Sequence, residues 1–174
     1  AEHGHLAAVA ALIEAKANLE LKDEFGVNAL IKSSANGHKP VVSALLEAKA
    51  DLNVQTKSHG DTALTWASNN GDADLVTQLL DSKADISAIT QNGETALDLV
   101  LRKRKGAWET VRSLLVEAYR VRIEAEVEDA VSRGEANTPG LLHTAAKYGV
   151  EQGVSKLIKG SADPTVQDQH GATA

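Results

Sequence analysis

Apolar residues recur along this chain in short runs at helical spacing. Val41, Val42, Leu45 and Leu46 form one run, and Leu75, Val76, Leu79 and Leu80 form the next. Each run marks one face of a helix. A shorter helix is predicted ahead of each run, as in Thr62 to Asn69 after a Thr-Ala-Leu phrase. Asn36-Gly37 and Asn70-Gly71 supply the turn between the two helices, because glycine tolerates a positive φ. The second helix ends at an Ala-Asp or Ala-Asn phrase that leads into a polar loop. Neither helix can bury its stripe alone, so the predicted folded unit is a stack of such pairs. No apolar run approaches the ~18 residues that a membrane span needs, which predicts no direct membrane insertion.

The pattern is periodic. Gly26-Val-Asn-Ala-Leu30, Gly60-Asp-Thr-Ala-Leu64 and Gly93-Glu-Thr-Ala-Leu97 are spaced by 34 and 33 residues, and Gly171-Ala-Thr-Ala174 opens a further copy. A second phrase keeps step at Leu12 to Asn18, Leu45 to Asp51, Leu79 to Asp85 and Leu157 to Asp163. These registers divide residues 1–174 into a single solenoid. It has a part repeat at 1–22, repeats at 23–55, 56–89, 90–134 and 135–167, and a part repeat at 168–174. Repeat 90–134 is too long, with about two extra residues before Gly106 and about ten after Leu115, judged against the regular period. Val111, Leu114, Leu115, Ala118, Val127, Ala130 and Val131 hold helical spacing there, so one long helix or two abutting helices are expected. Both ends cut through repeats and the chain has no methionine, so the sequence is expected to be a fragment or a processed form.

The residues that carry the strongest pattern are Leu142-His-Thr-Ala-Ala-Lys-Tyr-Gly149, followed by Leu157-Ile158 and Ala162-Asp163. Ala35-Asn-Gly-His38 with Val41-Val42 is close to it. This chain resembles the ankyrin-repeat family. The resemblance implies an all-α fold: an ankyrin-like helix-turn-helix repeat solenoid with short loop hairpins, here carrying a helical insertion. It implies that a partner protein binds a concave face made of loop tips and first-helix surfaces, and that His143 makes a structural hydrogen bond between repeats. Two departures stand out. Ala29, Ala63 and Ala96 replace the family's proline. Lys16, Lys49 and Lys83 replace its glycine after the second helix, where a left-handed backbone costs a side chain roughly 1 kcal/mol. A cation at a helix C-terminus recovers about 0.3–1 kcal/mol of that cost.

Composition narrows the chemistry. Hydrophobic residues make up 43% and charged residues 24% of 174, as in ordinary globular chains. There is no cysteine, which rules out disulfides and thiolate metal sites. His3 and His5 suggest a metal pair, but no clustered carboxylate completes one, and His5 and His38 sit at the repeat's Gly-His turn. No nucleophile-base arrangement and no phosphate loop follows from the spacing. No cofactor is expected, and the chain is expected not to be an enzyme. Net charge is −6, yet residues 102–122 carry +5 and the remainder −11. Arg102-Lys-Arg-Lys105 is the sharpest basic run. Its readings are a solvated helix end, a targeting signal, or a site for an acidic partner. The acidic chain and the lack of interleaved aromatics argue against nucleic acid.

The expected function is protein binding by a module that is monomeric alone and intracellular, either cytoplasmic or nuclear. A structural subunit of a large assembly and a regulatory domain of an enzyme are the alternatives. Candidate partner-binding residues are Phe25, Asn36, His59, Asp61, Asn69, Asn70, Asn92, Glu94, Arg102, Lys103, Arg104, Lys105, Trp108 and Tyr148. Glu24, Val27, Ala35, Asn137, Pro139 and Lys147 share the same face by position. Trp66 is expected in the core between repeats, and Leu46, Leu80 and Leu115 are expected to be buried core residues.

Overall fold

A computed structural model describes residues 1–103, 106, 108–135, 138 and 140–159. Among them the regular elements are α1 (Leu6–Glu14), α2 (Ala29–Ala35), α3 (Lys39–Glu47), α4 (Ala63–Asn70), α5 (Ala73–Asp81), α6 (Ala96–Leu101), α7 (Trp108–Ser132), α8 (Leu141–Lys147) and α9 (Glu151–Lys159). All are helices, as the periodicity predicts. The chain divides into two compact units, Ala1–Leu115 and Val116–Ala174. The part repeat expected at residues 168–174 lies outside the described residues.

In unit 1 the short helices α2, α4 and α6 pack side by side as an inner row, and α1, α3 and α5 form an outer row. The short helices start on side-chain caps, which satisfy amide groups that a helix leaves unpaired. Asn28 Oδ1 accepts from Ile31 N at 2.9 Å. Thr62 with Thr65, and Thr95 with Asp98, form reciprocal capping boxes. These caps secure the helix starts where Ala29, Ala63 and Ala96 stand in place of proline.

The outer helices bury Val41, Val42 and Leu45, then Leu75, Val76 and Leu79. Leu115 is fully buried, as expected. Leu46 and Leu80 are not; they are half-buried. Adjacent residues on a helix lie about 100° apart. The core is centred on the first leucine of each pair, which leaves the second at the margin. Each outer helix then ends on a lysine with left-handed backbone: Lys16 at φ 56°, Lys49 at 63° and Lys83 at 71°. These are the three positions where glycine is replaced.

α7 is a single 25-residue helix, which settles the choice between one helix and two. Its buried residues are Val111, Leu115, Tyr119, Ile123, Val127 and Ala130. From Val111 to Val127 these residues follow one another four positions apart.

Unit 2 contains most of α7 with the pair α8 and α9. Val127 and Gly153 are both buried. A Cβ added at Gly153 would lie 2.7 Å from Val150 Cγ1 and 3.4 Å from Val127 Cγ2. By register Gly153 occupies the place of Val41 and Leu75, so here α7 fills the space that a side chain fills in unit 1. A groove of about 440 Å³ runs along α8 and α9, lined by Ala146, Val150, Val154 and Ile158 among others.

Candidate partner-binding face

Two sets of rungs, meaning hydrogen bonds from one repeat to the one before, tie the repeats of unit 1 together. Asn36 Nδ2 donates to Glu2 O at 3.2 Å, and Asn70 Nδ2 donates to Ala35 O at 2.8 Å. In the third repeat the equivalent residue is Lys103. There the donor is Trp108, whose Nε1 donates to Asn69 O at 3.0 Å. The accepting carbonyls (Glu2, Ala35, Asn69) are equivalent by register. Asn36, Asn70 and Trp108 thus hold repeats together, a role that the sequence reading did not assign to them. A hydrogen bond of this kind contributes about 0.5–1.5 kcal/mol net, with the exposed rungs of Asn36 and Asn70 at the lower end.

The loop fingers form a second set of rungs. Lys57 N donates to Phe25 O at 2.9 Å and Gln91 N to His59 O at 2.8 Å. The carbonyls are engaged, and the side chains stay outside: Phe25 is 58% exposed, and His59 and Asn92 are exposed. Gly26 and Gly60 are required where one finger meets the next. A Cβ on Gly26 would lie 2.9 Å from Lys57 N, and one on Gly60 would lie 3.0 Å from Gln91 N. Both glycines also have positive φ.

Between fingers and inner helices lies a row that changes from repeat to repeat. Val27, Asp61 and Glu94 are equivalent, as are Ala35, Asn69 and Arg102, and Lys32, Trp66 and Leu99. Asp61 is half-buried and within 3.4 Å of the Thr65 hydroxyl. Trp66, expected in the core, is only half-buried, although its indole N–H is enclosed without an acceptor. Arg102 and Glu94 form a two-pronged ion pair: Nη1 to Oε1 at 2.6 Å and Nη2 to Oε2 at 2.9 Å. Lys103 Nζ stands 5.6 Å from the centroid of the Trp108 ring. Arg112 Nη2 donates to Lys103 O at 3.2 Å while its Nη1 pairs with Glu109 at 3.0 Å. Arg104 and Lys105 lie outside the described residues, as do Asn137 and Pro139.

The basic segment is less bare than its sequence implies. Arg120 pairs with Glu117, and Arg122 with Glu126. Glu126 lies just beyond the basic stretch 102–122 and offsets the charge of Arg122. Tyr148 belongs to unit 2. Its ring stacks on Tyr119 with centroids 4.7 Å apart and planes 6° from parallel. The candidates in unit 1 thus form one set, and Tyr148 is engaged elsewhere.

Two interhelix links carry perturbed charges. The Lys39 ammonium is held above the ordinary lysine range by hydrogen bonds to Asp74 and Asp72. The Glu128 carboxyl is held below the ordinary glutamate range by its hydrogen bond to Lys156. Both lie on the outside of their units and have no evident binding role. Among the described residues no three His, Cys, Asp or Glu side chains converge to hold a metal. No described helix is long and apolar enough to cross a membrane. A family model for ankyrin repeats in three copies matches residues 1–90 and 48–129. No curated protein matches the sequence.

Proposed function

This chain belongs to the ankyrin-repeat family, whose repeats mediate protein–protein interaction, and from that premise we propose that it is a non-catalytic module whose inner face in unit 1 holds a partner protein. The carrying observation is how chemistry is distributed over the equivalent inner-face positions of three repeats. Positions that build the stack repeat their chemistry, as in Leu30, Leu64 and Leu97, all fully buried. Positions on the inner face do not. Valine, aspartate and glutamate share one place; alanine, asparagine and arginine share another; lysine, tryptophan and leucine share a third. A half-exposed face whose chemistry varies along the stack suits recognition, with Trp66 and Leu99 as its apolar residues and charged residues beside them. Phe25 at the first finger tip adds an exposed aromatic anchor.

The test places a photo-crosslinking amino acid at Leu99 on the inner face, or at the exposed Thr77 on outer helix α5. A captured protein is then produced separately and titrated against the wild-type chain and Asp61→Lys. Crosslinking from position 99 but not 77, with affinity lost in Asp61→Lys, is expected. Crosslinking from position 77 alone would move the partner to the outer row and end this reading.

A further inference from the structure

In unit 1 the third repeat carries a two-pronged ion pair within its own inner face, Glu94–Arg102, whereas the Lys32–Glu2 pair at 3.4 Å joins the first repeat to the part repeat before it. The two positions involved are Val27 and Ala35 in the first repeat, and Asp61 and Asn69 in the second. The same backbone forms without charge pairing in both cases, so the stack does not require Glu94–Arg102. The pair is also placed where it contributes little to stability: the Arg102 side chain is 63% exposed and Glu94 22%, and exposed ion pairs are weak in water. Its geometry is nevertheless the fork by which a guanidinium takes both oxygens of a carboxylate.

Neighbouring residues point the same way. The rung that Asn36 and Asn70 make in their repeats is made here by the Trp108 indole. Lys103, at the asparagine position, is thereby released from stacking, and its ammonium rests over the Trp108 ring. Its carbonyl is fixed by Arg112. The result is a fixed backbone end presenting two adjacent cationic side chains, one already holding a carboxylate from its own chain.

We propose that the third repeat binds an acidic peptide segment of the partner, and that Glu94 occupies the place of the partner's carboxylate until it is displaced from Arg102. This rests on the inner face of unit 1 being the binding face. Glu94 is a built-in competitor: it keeps Arg102 in the forked orientation while lowering affinity for carboxylates in general. Only a segment able to supply several carboxylates to Arg102 and Lys103 together outcompetes it, which makes the pair a filter for acidic sequences.

The experiment titrates a labelled oligoglutamate peptide against the intact chain at two salt concentrations, with an oligothymidylate of equal charge in parallel. The variants are Glu94→Gln, Arg102→Gln and, as a charge-matched control, Arg122→Gln. Glu94→Gln should bind the peptide about three- to tenfold tighter, the size expected for freeing one charge-assisted fork. Arg102→Gln should lose binding, Arg122→Gln should leave it unchanged, and added salt should weaken it in wild type. The proposal is overturned if Glu94→Gln binds no tighter, if Arg102→Gln binds as wild type, or if the oligothymidylate gains as much as the peptide from Glu94→Gln. A partner that crosslinks at Leu99 but ignores both substitutions would overturn this inference and leave the inner-face reading standing.

Discussion

Units 1 and 2 build helix pairs from the same sequence phrase but pack them differently. In unit 1 each pair is covered by its like. Val41 and Leu75 fill the outer helices, and equivalent carbonyls accept one side-chain rung per repeat. In unit 2 the pair α8–α9 packs with the C-terminal part of α7, and the corresponding outer-helix position is Gly153, over which Val127 lies. The repeat phrase therefore specifies a helix pair, while the residue at the first outer-helix position specifies what can lie against it. A side chain there suits a like repeat, and a glycine suits a crossing helix.

The largest expected effect breaks the regular stack. Leu79→Ala should cost about 2–5 kcal/mol in chemical denaturation, because it empties a fully buried site. Leu80→Ala should cost clearly less, since Leu80 is half-buried; equal losses would show that the helix phase is misassigned. Gly153→Val tests the other packing. It places in unit 2 the residue type that unit 1 uses, and should destabilise unit 2 by about 1–3 kcal/mol through overpacking against Val127 and Val150. Hydrogen exchange should report the loss in α8 and α9, with α2 to α5 unchanged.

Smaller changes sharpen the account of caps and rungs. Asn28→Thr copies Thr62 and Thr95 and removes a buried amide nitrogen, Nδ2, that has no partner. It should stabilise unit 1 by about 1 kcal/mol, the size of the desolvation cost removed. Trp108→Phe keeps an aromatic ring, smaller than the indole, and deletes the donor to Asn69 O, and should cost at least the contribution of that hydrogen bond, about 0.5–1.5 kcal/mol.

The smallest effects separate the units by pH. Lys39 links α3 to Asp72 and Asp74 in unit 1 and has a raised pKa. Its contribution is fully present below the ordinary lysine value, about 10.4, and disappears as pH rises through the raised value. Glu128, lowered by Lys156 in unit 2, behaves oppositely. Its contribution is present above the ordinary glutamate value and is lost as pH falls through the lowered one. Midpoints of Lys39→Ala and Glu128→Gln should therefore converge on wild type at the alkaline and acid ends respectively.

Much of the stack was legible because a 33-residue period fixes the register, and the register fixes which residues share a role. The left-handed lysines followed from it, since Lys16, Lys49 and Lys83 each occupy one place in the period. The phase of Leu45 against Leu46 did not, because neighbouring leucines are equally apolar and differ only by rotation about the helix. Nor did the rungs. An asparagine and a tryptophan share no sequence signal, although both can place an N–H on the same carbonyl. Glu94 and Arg102 were each assigned to the binding face, yet their pairing across a helix became visible only when the finger and the end of α6 were placed together.

Hydrogen exchange of unit 1, with and without the protein captured at Leu99, tests the central claim most directly. The account predicts that the partner slows exchange at the fingers around Phe25, His59 and Asn92 and at the end of α6, leaving α1, α3 and α5 as they were. Protection confined to the outer helices α3 and α5, with the fingers unchanged, would contradict it.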